Sequence, residues 1–163
     1  MLLPIETGRD NPILRKKSKK VVKFDKALKK LIKDMGETML KKDGVGLAAP
    51  QVGSSQRIIV ENFQLDAKKT RVIALVNPEI IDASIACEAS EEGCLSLPKE
   101  YGMVTRYRSI TVKFHDEKGN LRVLELEGWN ARIAQHEIDH LDGILFVDKV
   151  EGEIRKIEAD KKE

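Results

Sequence analysis

The chain has 163 residues, of which 41% are hydrophobic and 34% are charged. This length suits one domain, because domains usually contain about 100–150 residues, and the hydrophobic share excludes global disorder. Lysine and arginine number 29 against 27 aspartates and glutamates, which gives a net charge of +2. So small a charge argues against nucleic acid as the main partner, since proteins that bind the phosphate backbone need a strongly basic surface.

Nothing in the chain indicates a membrane segment or a secretion signal. It lacks the run of about 18 apolar residues that a membrane-spanning helix needs, and Pro4 and Glu6 interrupt the N-terminus before an apolar signal region can form. The two cysteines, Cys87 and Cys94, are too few for a disulfide scaffold and are compatible with a reducing compartment. We therefore expect a cytoplasmic protein with no membrane partner.

Apolar residues three and four positions apart predict an amphipathic helix from Asp25 to Lys42. Asp25 is a suitable N-cap, and Gly44 follows the C-terminal end, where glycine commonly stops a helix. The same spacing returns between Trp129 and Leu141 and predicts a second helix. The charged segment from Glu151 to Glu163 has only two isoleucines as apolar anchors, so we expect a short helix there, in a weakly packed tail.

Between the two helices the pattern changes to short runs rich in valine, isoleucine and leucine. Such runs predict strands, and they cover Arg57–Val60, Arg71–Val76, Ile80–Ala86, Ile110–Phe114 and Leu121–Glu127. Turn residues separate them at positions 64–66, 77–78 and 116–120, which favours antiparallel pairing. The predicted fold class is α+β, with a single domain over residues 1–163 in which mostly antiparallel strands surround a central helix.

This central helix carries the strongest chemical signal, His136-Glu137-Ile138-Asp139-His140. Residues four apart lie on one face of a helix, so the two imidazoles can bind one metal ion with Glu137 beside them, as in hydrolytic metal sites. A catalytic site of this kind needs a third protein ligand and an open position for water. Cys94 is a better candidate than the glutamates of the tail, whereas we expect Cys87 to be inert.

A run of small residues, Gly44-Val45-Gly46-Leu47-Ala48-Ala49-Pro50-Gln51, follows the first helix. It lacks the Gly-Lys-Ser/Thr ending and the preceding strand of a phosphate-binding loop. Small side chains allow the backbone to lie against an extended peptide, and Gln51 offers an amide donor to an oxyanion. A plain tight turn is the alternative interpretation of this run.

Three segments together resemble the motifs of peptide deformylases, in the same order and with similar spacing: GVGLAAPQ at 44–51, EGCLS at 92–96 and QHEIDHLDG at 135–143. The resemblance extends over most of the chain. It implies a metal-dependent hydrolase that removes the N-formyl group from the initiator methionine of newly made polypeptides and releases formate. It also implies N-formylmethionyl nascent polypeptides as the partner, and the sequence leaves contact with the ribosome open.

The resemblance further implies a role for each site residue. Glu137 would act as general base and then as general acid, while the Gln51 amide and the Leu95 N–H would stabilise the oxyanion. One divalent ion, Fe²⁺ with Zn²⁺ or Ni²⁺ as substitutes, would be held by Cys94, His136 and His140. The residues expected to bind the substrate are Val45, Gly46, Gly93, Trp129, Arg132 and Ile133.

Two other functions remain as alternatives at this stage. A zincin-like metallopeptidase would use the same two histidines and glutamate, but it would need a downstream ligand and would cleave internal peptide bonds. A metal-stabilised binding module would need a closed fourth coordination position.

Overall fold

Two antiparallel sheets and a buried helix dominate the computed structural model, which describes residues 1–157. In chain order the elements are α1 (Pro12–Arg15), α2 (Lys26–Lys41), β1 (Gly46–Ala48), β2 (Ile58–Gln64), β3 (Thr70–Ala83), β4 (Cys87–Cys94), β5 (Leu97–Tyr107), β6 (Ser109–His115), β7 (Leu121–Glu127), α3 (Gly128–Leu141) and β8 (Val150–Lys156). The larger sheet has the order β1-β2-β3-β6-β7 and the smaller has the order β4-β5-β8. This confirms the predicted α+β class with mostly antiparallel strands.

Both predicted helices are confirmed, and they differ in burial. In α2 the Asp25 carboxylate accepts a hydrogen bond from the Leu28 N–H at 3.0 Å, as expected of an N-cap. In α3, 10 of the 14 residues are buried, including charged ones, so its polar side chains need partners inside the protein. No helix within residues 1–157 is long and apolar enough to cross a membrane.

Alternation along β2 directs successive side chains toward different helices. Ile59 and Phe63 pack in one apolar cluster with residues of α3, whereas Ile58 and Val60 pack in a second cluster with residues of α2. This part of the larger sheet therefore lies between the two long helices. One face of β2 looks toward α3, which carries the candidate metal ligands.

The predicted break between two strands at Asn77-Pro78 is wrong, because β3 continues through it. Asn77 has a left-handed backbone with φ of 52°, and the register with β6 shifts between Val76 and Glu79. The Asn77 amide accepts a hydrogen bond from the Val21 N–H at 2.8 Å and donates one to the Val21 carbonyl at 2.9 Å. A β-bulge thus accommodates the turn-forming residues without ending the strand.

The short helix predicted for the C-terminal segment is also wrong where the segment is described. Residues 151–156 belong to β8, which pairs with β5 and places Val150 opposite Val104. Pairing with the open edge of β5 satisfies backbone groups that a short polar helix would leave to solvent. Residues 158–163 of the predicted tail lie outside the described part of the chain.

The sequence pattern does not predict β4 as a whole strand, and it does not predict β5. β4 reads CEASEEGC, with three glutamates and no β-branched residue, so it lacks the usual composition of a strand. Its Glu92 and Cys94 side chains instead belong to the candidate site.

Candidate metal centre and active site

The three predicted metal ligands come together at one point. Cys94 ends β4, His136 and His140 lie one turn apart on α3, and their ligand atoms all lie within 4.8 Å of one another. The Cys94 Sγ is 3.3 Å from the His140 Nε2. One thiolate and two imidazoles form a donor set that suits zinc or ferrous iron and leaves a fourth position for water.

A buried carboxylate, that of Glu92, orients one of these ligands. Glu92 accepts a hydrogen bond from the His136 Nδ1 at 2.8 Å, so Nε2 is the nitrogen left for a metal ion. It also accepts hydrogen bonds from Arg106 at 2.6 and 2.8 Å and from Arg132 at 2.5 Å. Burial opposes the charge on Glu92, but the bonds from Arg106 and His136 outweigh burial and hold its pKa well below the usual range.

The surroundings shift the pKa values of the two histidines in opposite directions. Burial, aided by the charge of His136, lowers the pKa of His140 and favours the neutral imidazole that binds metals. Burial also works against protonation of His136, but the charge of Glu137 and the contacts with Cys94 and Glu92 raise its pKa. A metal ion at Nε2 would compete with that proton.

Glu137 is a buried carboxyl group beside the candidate ligands. Its Oε1 is 3.9 Å from the His140 Nε2 and has no hydrogen-bond partner within the described residues. Burial, with a contribution from the charge of Glu92 and against that of His136, raises the pKa of Glu137 to about 7. A carboxyl group with a pKa near neutrality can both accept and return a proton at working pH.

The amide of Gln51 points toward the ligand cluster. Gln51 lies in the 3-10 turn Ala49–Val52, and its Oε1 accepts a hydrogen bond from the Ala48 N–H at 2.9 Å. This fixes the amide so that Nε2 lies 3.1 Å from the Ser96 Oγ and 3.5 Å from the Cys94 Sγ. Leu95 follows Cys94 in the tight turn that joins β4 to β5.

A cavity of about 530 Å³ opens beside these groups. A cavity of this size suits a short peptide segment better than a folded partner. All six residues predicted to bind the substrate line it, namely Val45, Gly46, Gly93, Trp129, Arg132 and Ile133, together with Gln51, Leu95, Cys94, His136 and Glu137.

Two glycines allow the backbone to approach the site closely. A Cβ on Gly46 would lie 2.5 Å from the Glu137 Oε2 and 2.7 Å from the Ile133 Cγ2. A Cβ on Gly93 would lie 2.7 Å from the Tyr101 ring. Any larger residue at either position would have to displace side chains that form the site.

Sequence reasoning missed the polar groups that support the ligands. It assigned no role to Glu92 or Arg106, and it found no partner for Asp139. In the structure Asp139 accepts a hydrogen bond from Arg106 at 2.9 Å and lies 3.0 Å from Lys149.

Arg132 lines the cavity, but its guanidinium turns inward to Glu92 and to the carbonyls of residues 88 and 104. The sequence offers one signal for this polar network, namely Glu92, which lies two positions before the candidate ligand Cys94.

Comparisons with known proteins agree with this geometry. The family model described as Polypeptide deformylase matches residues 3–156. A peptide deformylase of Thermotoga neapolitana is 48% identical over 140 residues, which are 86% of this chain and 82% of that protein. A peptide deformylase of Natranaerobius thermophilus is 45% identical over 150 residues, which are 92% of this chain and 94% of that protein. The crystal structure of peptide deformylase from Thermotoga maritima has a TM-score of 0.86 and 45% identity, covering 93% of this chain and 99% of that chain.

The α+β fold and the largely buried Cys-His-His group beside a glutamate define a metal-dependent hydrolase. The chain belongs to the peptide deformylase family, whose members are metalloenzymes that remove the formyl group from N-terminal methionine. The predicted deformylase function is confirmed, and neither the zincin-like metallopeptidase nor the metal-stabilised binding module is supported.

Proposed function

We propose that Glu137 is the general base and general acid of deformylation in this chain. The observation that carries the proposal is the position of its buried carboxyl group, with Oε1 3.9 Å from the Nε2 of a candidate metal ligand. Cys94, His136 and His140 would hold a divalent ion, which would supply Lewis acidity and lower the pKa of the attacking water. Glu137 accepts the proton of the attacking water and returns it to the leaving amine, which departs readily only when protonated.

The Gln51 amide and the Leu95 N–H are proposed to stabilise the oxyanion that forms on the formyl oxygen. The fixed orientation of Gln51, with its own oxygen occupied by the Ala48 N–H, supports this role because the donor needs no reorganisation during the reaction. A donor of this kind is typically worth about 3–4 kcal/mol of transition-state stabilisation.

The cavity beside Gly46 and Gly93 is proposed to hold the formyl-methionine end of the substrate. Val45, Trp129 and Ile133 supply apolar surface for a flexible thioether side chain. The backbone at Gly46 lies so close to Glu137 that a Cβ there would be 2.5 Å from the carboxyl oxygen Oε2. We propose that a site this tight accepts hydrogen on the acyl carbon and excludes a methyl group.

The test of this proposal compares two substrates and two variants. We expect formate release from a formyl-methionyl peptide and almost no acetate release from the acetylated peptide. Glu137→Gln should keep its metal and lose about 10²–10⁴-fold in rate, because an amide cannot accept the proton. Glu125→Gln, an exposed change on β7, is the control and should keep full activity. A Glu137→Gln variant within a few fold of wild type, with metal content confirmed, would show that another group is the base.

For the metal we propose Fe²⁺, with Zn²⁺ or Ni²⁺ as working substitutes. The mixed thiolate and imidazole donor set supports this proposal, because it suits ferrous iron as well as zinc. Metal availability and site geometry decide among these ions more than affinity does. Protein purified anaerobically with iron should lose activity in air, through oxidation of the ion or of the Cys94 thiolate. The zinc or nickel form should keep its activity under the same exposure, and equal loss in all forms would contradict the iron proposal.

We also propose that the enzyme acts in the cytoplasm, on nascent polypeptides that still carry N-formylmethionine. Both cysteines are free thiols, which is compatible with a reducing compartment. Ribosome contact is a separate question, and cosedimentation of the enzyme with translating ribosomes would test it.

A further inference from the structure

Glu61 on β2 is a carboxyl group in the protein core that the proposed mechanism does not use. Its side chain is fully buried, at 0% relative exposure. Neither of its carboxyl oxygens has a hydrogen-bond partner within the described residues. A buried polar group without a partner is costly, so its presence calls for a physical explanation.

The strand pattern places this side chain on the face of the sheet that looks toward α3. Glu61 alternates with Ile59 and Phe63, and both of these pack in the apolar cluster that includes α3. Glu61 is directly opposite Gly46 in the antiparallel pair of β1 and β2. Directly opposed residues project to the same side of a sheet, so Glu61 and the open position at Gly46 face α3 together.

Glu137 lies across that open position. A Cβ on Gly46 would lie 2.5 Å from the Glu137 Oε2 and 2.9 Å from its Cγ, so the missing side chain leaves room for the Glu137 carboxyl group against the sheet. Glu61 and Glu137 are therefore neighbours in one buried region. Three of their four carboxyl oxygens are buried without a partner, both of Glu61 and the Oε1 of Glu137.

Two ionised carboxylates cannot satisfy each other, because both are acceptors only. A single proton changes this, since a neutral carboxyl group donates one hydrogen bond and a carboxylate accepts it. We propose that Glu61 is a positioning residue for Glu137. Glu61 stays protonated in the folded enzyme and shares its proton with the Glu137 carboxylate through one enclosed water, since within residues 1–157 its oxygens make no direct hydrogen bond. The inference rests on the proposed role of Glu137 as the base, which this hydrogen bond would hold in place.

The surroundings of Glu61 favour its neutral form. β1 presents Gly46 and β3 presents Ile73 opposite Glu61, and neither carries a charge. Arg71, two positions from Ile73 on the same strand, is exposed. Within residues 1–157, Glu137 is the ionisable group whose charge acts on Glu61, and burial together with this charge raises the pKa of Glu61 to about 9.

Three variants separate a positioning role from simple packing. Glu61→Gln keeps a donor of the same size, Glu61→Met keeps the length and removes the donor, and Phe63→Leu alters the same strand face without touching a polar group. We expect Glu61→Gln to stay within about threefold of wild type, and Glu61→Met to lose about tenfold in kcat with little change in KM, the loss of about one hydrogen bond. Phe63→Leu should keep the wild-type ratio of kcat to KM.

Infrared spectroscopy of the zinc-loaded enzyme at pH 8, above the pKa of Glu137 and below that of Glu61, gives a readout independent of turnover. We expect a carbonyl band of a protonated carboxyl group that disappears in Glu61→Gln and shifts in Glu137→Gln. Absence of the band, or a band that Glu137→Gln leaves unmoved, would overturn the inference, as would full kcat in Glu61→Met. The proposed role of Glu137 fails separately, if Glu137→Gln keeps its activity.

Discussion

Replacing Glu61 by glutamine should change how the stability of the enzyme depends on pH. In the unfolded chain this carboxyl group has a pKa near the ordinary 4.5, whereas in the fold its pKa is about 9. Between these values the folded state binds the additional proton, so the free energy of unfolding falls as pH rises. Each pH unit inside the window is worth about 1.4 kcal/mol. From pH 5 to pH 8 wild type should therefore lose about 3–4 kcal/mol more stability than Glu61→Gln.

The measurement is urea denaturation of the zinc-loaded protein at pH 5, 6, 7 and 8, with Glu125→Gln as the exposed control. Metal binding also depends on pH, but that dependence is common to all the proteins and cancels in the difference between them. We expect the free energy of unfolding of Glu61→Gln, relative to that of wild type, to increase with each step in pH. The control should follow wild type. A difference that stays constant across the series would mean that Glu61 has the same protonation in both states, and the reasoning would be wrong.

Three further predictions concern the metal centre. Cys94→Ser should lose metal affinity while Cys87→Ser, at an exposed position, should bind as wild type does, and metal analysis of both variants decides this. Gly46→Ala should push the Glu137 carboxyl group aside, costing about 1–3 kcal/mol of stability and most of the kcat, measured on metal-replete protein. Glu92→Gln should leave the buried Arg132 without a counter-charge and Arg106 with Asp139 alone, with a loss of about 3–5 kcal/mol in stability and about 10–100-fold in metal affinity, and unchanged metal affinity would contradict it.

Periodic apolar patterns were the most informative part of the sequence. The helix at Lys26–Lys41 and the strand at Leu121–Glu127 follow from local spacing, because each has one face toward the core. The metal ligands followed from motifs in which residue type and spacing are dictated by the chemistry. The spacing of His136 and His140 alone indicates a shared ion.

The parts of the fold and of the site that the sequence did not predict depend on contacts between residues far apart in the chain. β4 did not read as a strand because its buried Glu92 is stabilised by Arg106 from β5 and Arg132 from α3, which no local pattern reveals. The C-terminal strand exists because β5 offers it an edge, so its own composition was a poor guide. Glu61 interrupts an apolar strand, and sequence alone gave no reason to pair it with Glu137.

The separation of the metal ligands along the chain has a consequence for folding. Cys94 and His140 are 46 positions apart, and they come from the smaller sheet and from the helix packed on the larger one. A bound ion therefore cross-links the smaller sheet to the helix that packs on the larger one. A ligand that binds only the folded state stabilises it by about 2.7 kcal/mol at a free concentration one hundred times its Kd. The supply of metal in the cell would thus govern how long the folded chain survives proteolysis, in addition to how fast it turns over substrate.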